Sequence, residues 1–201
     1  MGTRNLTMVI SNGETKVAQY GQWDGYPGGQ GSTALEFLRK ADINKFREKV
    51  GNLRWITKEE AAALDETDWV KTHPFLSRDT GANILNAIYY DSMEIRDPEA
   101  SVFSGKKIDF PCKVEFLQDE SDFAADSLFC EWAYVVDLDK MTFEVYRGFN
   151  KKPLNEDDRF FHLERKRKDS EYYPITMIKS YDLNNLPDPA KFLSDFQEED
   201  E

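Results

Sequence analysis

Cysteine and histidine are scarce in this chain of 201 residues, and no apolar run in it is long. Two cysteines, Cys112 and Cys130, are too few for a disulfide framework and lack the paired spacing of a zinc site, so we expect buried, reduced thiols and neither metal nor cofactor. The longest apolar run in the second half, residues 132–136, is far shorter than the roughly 20 residues of a membrane helix. The first ten residues lack the basic segment and apolar core of a secretory signal. We therefore expect a cytoplasmic protein that does not enter a membrane.

Basic residues are outnumbered, with 26 lysines and arginines against 38 acidic residues and a formal net charge of −12. Binding to a phosphate backbone requires clustered positive charge, so this balance disfavours nucleic acid as a partner. A basic run at residues 165–168 is flanked by acids and is typical of a solvated loop. Aromatic residues make up 13% of the chain, which is enough apolar area to order a compact domain. We predict one globular domain over residues 1–196 and an acidic tail over residues 197–201.

The strongest local signal is Asn12-Gly13 between two alternating segments, which predicts a β-hairpin with a two-residue type I′ turn. The expected pairs are Ser11 with Glu14, Ile10 with Thr15, Met8 with Val17, Leu6 with Gln19, Arg4 with Gly21 and Thr3 with Gln22. In this register, the apolar face continues into Arg4 and Gln19. A polar pair that prolongs an apolar face needs partners, which indicates a binding site; the alternative is that the strands fray and Arg4 reaches solvent.

Residues 21–31 contain five of the eleven glycines. Trp23 and Tyr26 add flat apolar rings, and Asp24 adds a carboxylate. Glycine permits positive φ and the close approach of a ligand, so we interpret this segment as a pocket wall. It matches neither a Walker A loop nor a dinucleotide fingerprint. The alternative is a tight turn leading into a capping box of Thr33 and Glu36 and a helix over residues 34–40.

A second polar segment, residues 72–81, precedes an apolar helical pattern. It contains His73 and the sequence Ser77-Arg78-Asp79. The free N–H groups of a helix start, together with the Arg78 guanidinium, would attract an anion. The alternative is structural: Ser77 or Asp79 caps the helix, and Arg78 pairs with a carboxylate.

The rest of the chain predicts short helices and a β-rich second half, and therefore an α+β fold in which an antiparallel sheet is layered with short helices. We expect the N-terminal hairpin to lie inside that sheet. Asp137 and Asp139 flank a turn without a calcium-loop continuation, which favours turn residues over metal ligands. The predicted helices cover residues 43–50, the segment after Thr57-x-x-Glu60, and a last helix capped by Asp188; the predicted strands cover residues 113–117, 129–137, 142–147, 160–163 and 175–179.

Gly2-Thr3-Arg4 and residues 19–27 (QYGQWDGYP), with the later His73 and Ser77-Arg78-Asp79 stretch, resemble small, largely uncharacterised proteins of phages and bacteria. Gly2-Thr3 also resembles the cleavage point of N-terminal-nucleophile hydrolases, which implies a layered fold of that type. That resemblance also implies that Thr3 acts as the nucleophile with its own amine as the base.

If the two polar segments meet, they form one cleft that is suited to a small nucleotide. We expect a phage-type, anti-defence accessory protein that binds a nucleotide immune signal such as a cyclic dinucleotide. An extended form of this hypothesis is that the protein also cleaves the signal. The alternatives are an acidic inhibitor that binds a host protein and an amide hydrolase of the N-terminal-nucleophile type. The candidate catalytic residues are His73, Asp79 and Thr3, and the candidate ligand-binding residues are Arg4, Gln19, Gln22, Trp23, Asp24, Tyr26 and Arg78.

Overall fold

A computed structural model describes residues 2–64, 72–97, 100, 105–163 and 170–197. The predicted basic run at residues 165–168 lies outside the described residues, as do residues 198–201 of the predicted acidic tail. The described chain has mixed helices and strands, which confirms the α+β class.

The strands are β1 (Asn5–Ser11), β2 (Glu14–Gly21), β3 (Arg54–Trp55), β4 (Ser92–Arg96), β5 (Lys107–Pro111), β6 (Phe116–Leu117), β7 (Trp132–Asp137), β8 (Thr142–Arg147) and β9 (Thr176–Asp182). The helices are α1 (Ser32–Lys40), α2 (Ile43–Gly51), α3 (Lys58–Ala63), α4 (Ile84–Tyr90) and α5 (Pro189–Ser194). One turn of π-helix, Pro27–Gly31, precedes α1, and short 3₁₀ turns cover Pro74–Leu76, Gly81–Asn83 and Ser121–Ala125.

The main sheet has the strand order β2-β1-β7-β8-β9. Its neighbours pair antiparallel except β1 and β7, which run parallel, with Asn5 opposite Trp132 and Ile10 opposite Asp137. Strand β1 is therefore interior, as expected for the N-terminal hairpin, whereas β2 lies at the edge. All of β1 and β7 is buried, which explains the continuous apolar run of residues 132–136 because both faces of these strands are covered.

The predicted hairpin register is right only next to the turn. Asn12 and Gly13 both have positive φ, as a type I′ turn requires, and Ser11–Glu14 and Ile10–Thr15 pair as expected. A β-bulge then shifts the register, and the remaining pairs are Val9 with Val17, Met8 with Ala18, Thr7 with Gln19, Leu6 with Tyr20 and Asn5 with Gly21. The predicted alignment of Arg4 and Gln19 on one face is therefore wrong.

The sheet separates two apolar clusters. Val9 and Val17 face the helices, together with the buried side of α1, where Leu35 and Leu38 are fully or almost fully buried. Leu6, Met8, Ile10 and Ala18 face the other side, which is covered by loop segments. The covering residues on that side include Ala124, Cys130, Phe160 and Ile175.

Several local predictions are confirmed. Helix α2 spans Ile43–Gly51, Thr57 and Glu60 form a capping box on α3, and Asp188 caps α5 by accepting from Lys191 N. The β7–β8 hairpin is present, and the Asp137 carboxylate accepts from Asp139 N and Lys140 N in its turn.

Other local predictions are wrong. The box of Thr33 and Glu36 does not form, because α1 continues directly from the π turn and Thr33 Oγ1 instead donates to Gly29 O. Residues 160–163 form turns, only 116–117 of the predicted 113–117 strand pair, and the β4–β5 pair was not predicted.

Cys112 and Cys130 are buried and free, as expected. Within the described part of the chain, no cluster of three or more His, Cys, Asp and Glu side chains could hold a metal ion. No helix in the same part combines the length and apolar character needed to cross a bilayer.

Candidate functional site

The two polar segments lie side by side. Gln22 N donates to Arg78 O at 2.8 Å, and Trp23 Nε1 donates to Asp79 Oδ1 at 2.9 Å. Gln19, which is almost fully buried, donates from Nε2 to Ser77 O at 3.3 Å and to Tyr20 O at 3.1 Å. Asp79 and Ser77 therefore connect the two segments and do not cap α4. The N-cap residue of α4 is Asn83, which forms no side-chain capping hydrogen bond.

The glycines of residues 21–31 serve close packing. None of the five has a positive φ; the residue in the left-handed region is Asp24, with φ of 54°. A Cβ built on Gly29 would lie 2.1 Å from Asp24 O, and one built on Gly25 would lie 2.8 Å from Thr3 O. Next to Gly25 and Gly29 the space is filled by the protein's own backbone, whereas Asp24, Gly28, Gly29 and Gln30 also line a cleft beside α1.

Side chains of the buried strands β1 and β7 donate hydrogen bonds to backbone carbonyls of this loop. Asn5 Nδ2 donates to Gly21 O at 3.2 Å and to Trp23 O at 3.3 Å. The Tyr134 hydroxyl donates to Gly25 O at 2.7 Å, and burial raises the pKa of this phenol well above its ordinary value. Since both supports come from interior strands, the loop is part of the rigid sheet region.

The charges of two guanidiniums act on one phenol, and one of them, Arg78, lines a cleft together with it. Burial raises the pKa of Tyr20, whereas the charges of Arg4 and Arg78 oppose that rise. The Tyr20 hydroxyl donates to Gln22 Oε1 at 2.6 Å. We call Arg4, Tyr20, Gln22 and Arg78 the arginine cradle.

The cradle's arginines have acidic side chains nearby, since Glu131 Oε1 accepts from the backbone N–H of Arg4 at 3.2 Å. The Arg4 guanidinium lies over the Phe129 ring, 4.6 Å from its centroid. Within residues 2–64, 72–97, 100, 105–163 and 170–197, neither Arg4 nor Arg78 forms an ion pair, so the predicted pairing of Arg78 with a carboxylate is not found there. Glu120 lies on the same side, and its charge acts on Tyr20 in the opposite sense. A small cleft of about 60 Å³ runs between Tyr20, Arg78 and Glu120.

His73 belongs to a different neighbourhood. Its ring lies 5.6 Å from that of Phe75 and 5.3 Å from that of Phe116, and its Nδ1 is 2.8 Å from Thr72 Oγ1. It lines none of the three clefts found at Tyr20, beside α1 and beside Trp55. His73 is therefore not brought to the cradle by any contact of the described residues.

The remaining candidates are placed as follows. Trp23 and Tyr26 are each 47% exposed, so both offer a ring face to a ligand. Thr3 is partly buried just before β1, and its carbonyl accepts from Gly25 N at 2.9 Å. Asp24 lies in the wall of a second, larger cleft of about 390 Å³ beside α1.

Tyr20 was missed because the predicted register gave Leu6 the wrong partner. A sequence signal did exist: Ala18 and Tyr20 alternate with the same period as the apolar residues Leu6, Met8 and Ile10. A register that pairs these two sets brings Tyr20 to the Arg4 end of the sheet.

Comparisons with protein-family models, curated proteins and solved structures returned no match to this chain.

Proposed function

We propose that this protein binds a phosphate group of a small anionic nucleotide, such as a cyclic dinucleotide, at the arginine cradle. The observation that carries the proposal is that Arg78 and Tyr20 line one cleft, that Gln22 N donates to Arg78 O, and that the Arg4 guanidinium lies 4.6 Å from the centroid of the Phe129 ring, with neither guanidinium in an ion pair among the described residues. In a chain of net charge −12, two arginines without an ion pair among the described residues concentrate positive charge, although Glu120 lines the same cleft as Arg78 and Glu131 Oε1 accepts from Arg4 N.

The chemistry of the cradle matches a phosphate group. Guanidiniums donate paired hydrogen bonds to phosphate oxygens, whereas the single Tyr20 O–H is already donated to Gln22 Oε1 and adds no donor in this arrangement. The exposed ring of Trp23, which is anchored by its indole N–H to Asp79, lies next along the chain and offers a stacking surface for a base.

The geometry supports binding better than cleavage. A general acid or base must lie within hydrogen-bond reach of the proton that it transfers. Asp79 is occupied by the Trp23 indole, and the contacts of His73 are with Thr72, Phe75 and Phe116. The biological proposal is that of a phage-type accessory protein that removes a nucleotide immune signal by sequestering it.

The test is a binding panel of cyclic dinucleotides, linear dinucleotides and mononucleotides, measured by isothermal titration calorimetry. We expect saturable binding of at least one dinucleotide. Arg4→Gln and Arg78→Gln should each weaken it by about tenfold to a hundredfold, because a hydrogen bond to a charged group contributes about 1.5–3 kcal/mol. Arg96→Gln, which changes an exposed arginine on β4, is the charge-matched control and should bind like the wild type.

Chromatography of the same mixtures separates binding from cleavage. Retention of intact nucleotide supports sequestration, whereas product formation that is abolished by His73→Ala would replace sequestration with catalysis. Equal loss of affinity in the Arg96→Gln control, or no binding by any nucleotide, would remove the cradle as the binding site.

A further inference from the structure

The cleft beside α1 differs in chemistry from the arginine cradle. Its walls come from the glycine-rich loop, the exposed side of α1 and the end of α4. Polar and aromatic residues that line the cleft include Asp24, Gln30, Glu36, Lys40, Asn86 and Tyr90. We call this region the acceptor cleft.

Most hydrogen-bond donors in these walls are already engaged inside the protein. Ser32 Oγ donates to Pro27 O, and Thr33 Oγ1 donates to Gly29 O. The side-chain amide of Asn86 donates to Asn83 Oδ1 at 3.2 Å.

Gln30 is engaged at both ends. Its Nε2 donates to Trp23 O at 3.4 Å, and its Oε1 accepts from Ala82 N at 2.6 Å. The cited hydrogen bonds use one of the two side-chain N–H groups of Gln30 and of Asn86 and the hydroxyl protons of Ser32 and Thr33, so fewer donors remain for an anionic ligand.

The groups that remain are mainly acceptors. Asp24 lines the cleft, and its carboxylate accepts no hydrogen bond from the residues that the structure describes. Among the described residues, the Glu36 carboxylate forms one ion pair, with Lys40 Nζ at 4.0 Å. Tyr90 is 54% exposed and presents its ring. Two carboxylates beside an aromatic face, with one lysine, favour a donor-rich cation over an anion.

We propose that the acceptor cleft binds the guanidinium of an arginine side chain on a basic polypeptide. A guanidinium is planar, donates two parallel hydrogen bonds to a carboxylate and stacks on aromatic rings, which matches Asp24, Glu36 and Tyr90.

The rim of the cleft favours a polypeptide over a free small cation. A Cβ built on Gly28 in the wall would lie 3.6 Å from the Tyr26 ring and 3.7 Å from Leu193, and both of these side chains are exposed. They form an apolar border on which residues flanking an arginine can pack. The net charge of −12 adds long-range attraction for a basic partner.

The test uses a capped arginine-rich peptide, its arginine-to-lysine counterpart and spermidine, each titrated into the full chain. We expect the arginine peptide to bind at least several-fold more tightly than the other two. The double variant Asp24→Asn/Glu36→Gln should weaken binding at least tenfold, Tyr90→Ala should weaken it, and Tyr90→Phe should leave it unchanged. The control Glu48→Gln/Asp122→Asn removes the same charge from exposed positions outside the cleft and should bind like the wild type.

Three results would overturn the inference. Equal weakening of peptide binding in the two double variants would show that only unspecific charge attraction acts. Equal affinity for the lysine peptide would show that the cleft does not recognise the guanidinium group. Equal affinity for spermidine would show that the cleft does not require a polypeptide. Arg4→Gln should leave peptide binding intact, so failure here and failure of the nucleotide proposal are distinguishable.

Discussion

Asp139 joins the turns of the two hairpins. Its carboxylate accepts from Gly13 N at 2.7 Å and from Asn12 N at 2.9 Å, and Arg47 lies 3.4 Å away. The hydrogen bonds from Gly13 N and then Asn12 N hold the pKa of this carboxyl below its ordinary value of 3.8. A residue that sequence analysis assigned to one turn thus also fixes the parallel pairing of β1 with β7.

We predict that Asp139→Asn lowers the free energy of unfolding by about 1 kcal/mol at pH 7, a modest value because the carboxylate is partly exposed. Since the folded-state pKa is depressed, the contribution is present above the unfolded pKa and disappears as the pH falls through the folded one. In urea unfolding, the difference in stability between the wild type and Asp139→Asn should therefore become smaller as the pH is lowered from 7 to 2. A stability difference between wild type and Asp139→Asn that stays the same in acid would contradict this role. So would an equal loss of stability in Asp122→Asn.

The two thiols are predicted to be inert in the folded protein. Burial raises the pKa of Cys130 far above its ordinary range, and burial also raises that of Cys112. Because the thiolate is the reactive form, a chromogenic disulfide reagent should label neither cysteine in buffer and both in urea. Rapid labelling of Cys130 in the native protein would show that the second apolar cluster is open to solvent.

At the scale of elements, the glycine-rich loop is defined by steric contact. Gly29→Ala places a Cβ against Asp24 O and should destabilise the fold by about 2 kcal/mol, in the range of overpacked sites. Gly28→Ala in the same loop makes ordinary contacts only and serves as the matched control. Chemical denaturation measures both, and equal stability of the two variants would show that the loop adapts.

Arg159 connects the loop after β8 to the β7–β8 hairpin. It is 18% exposed and bonds to Asp137 Oδ2 at 2.6 Å and to Glu144 Oε2 at 2.9 Å. Tyr146 donates to the same Glu144 carboxylate, and burial raises the pKa of Tyr146.

Replacing Arg159 with methionine leaves these two carboxylates buried without a cation and should cost about 3 kcal/mol. Arg159→Lys keeps the charge but loses the planar fork, so its loss should be intermediate. Urea denaturation should give free energies of unfolding that fall from the wild type to Arg159→Lys to Arg159→Met. An Arg159→Met variant as stable as the wild type would show that the network is not needed for stability.

Local chemistry predicted several turns, caps and the β7–β8 hairpin, but it did not predict the pairing of strands that are distant in sequence. Asn12-Gly13, Thr57-x-x-Glu60 and Asp188 carry short-range signals, and each forms the turn or cap that its sequence predicts. The bulge in β2 and the parallel β1–β7 pair depend on contacts between residues distant in sequence. The error in register propagated to the site, because it separated Tyr20 from Arg4.

At the scale of the whole molecule, the candidate site divides into two regions of opposite character. The arginine cradle gathers Arg4 and Arg78, and the acceptor cleft gathers Asp24 and Glu36. The sequence analysis treated the meeting of the two polar segments as a condition, and hydrogen bonds of Gln22 and Trp23 do join the segments. It could not predict this division, because the side on which Asp24 lies follows from the positive φ of that residue.

The central claim is that Arg4 and Arg78 bind one anionic nucleotide together. The most direct measurement is NMR of the arginine Nε–H signals and the Trp23 indole signal while the dinucleotides of the binding panel are titrated into the protein. The account predicts that the signals of Arg4, Arg78 and Trp23 shift with one saturation curve while Arg96 stays unchanged. Saturable binding that leaves Arg4 and Arg78 unshifted, or no shift at either with any nucleotide, would contradict it.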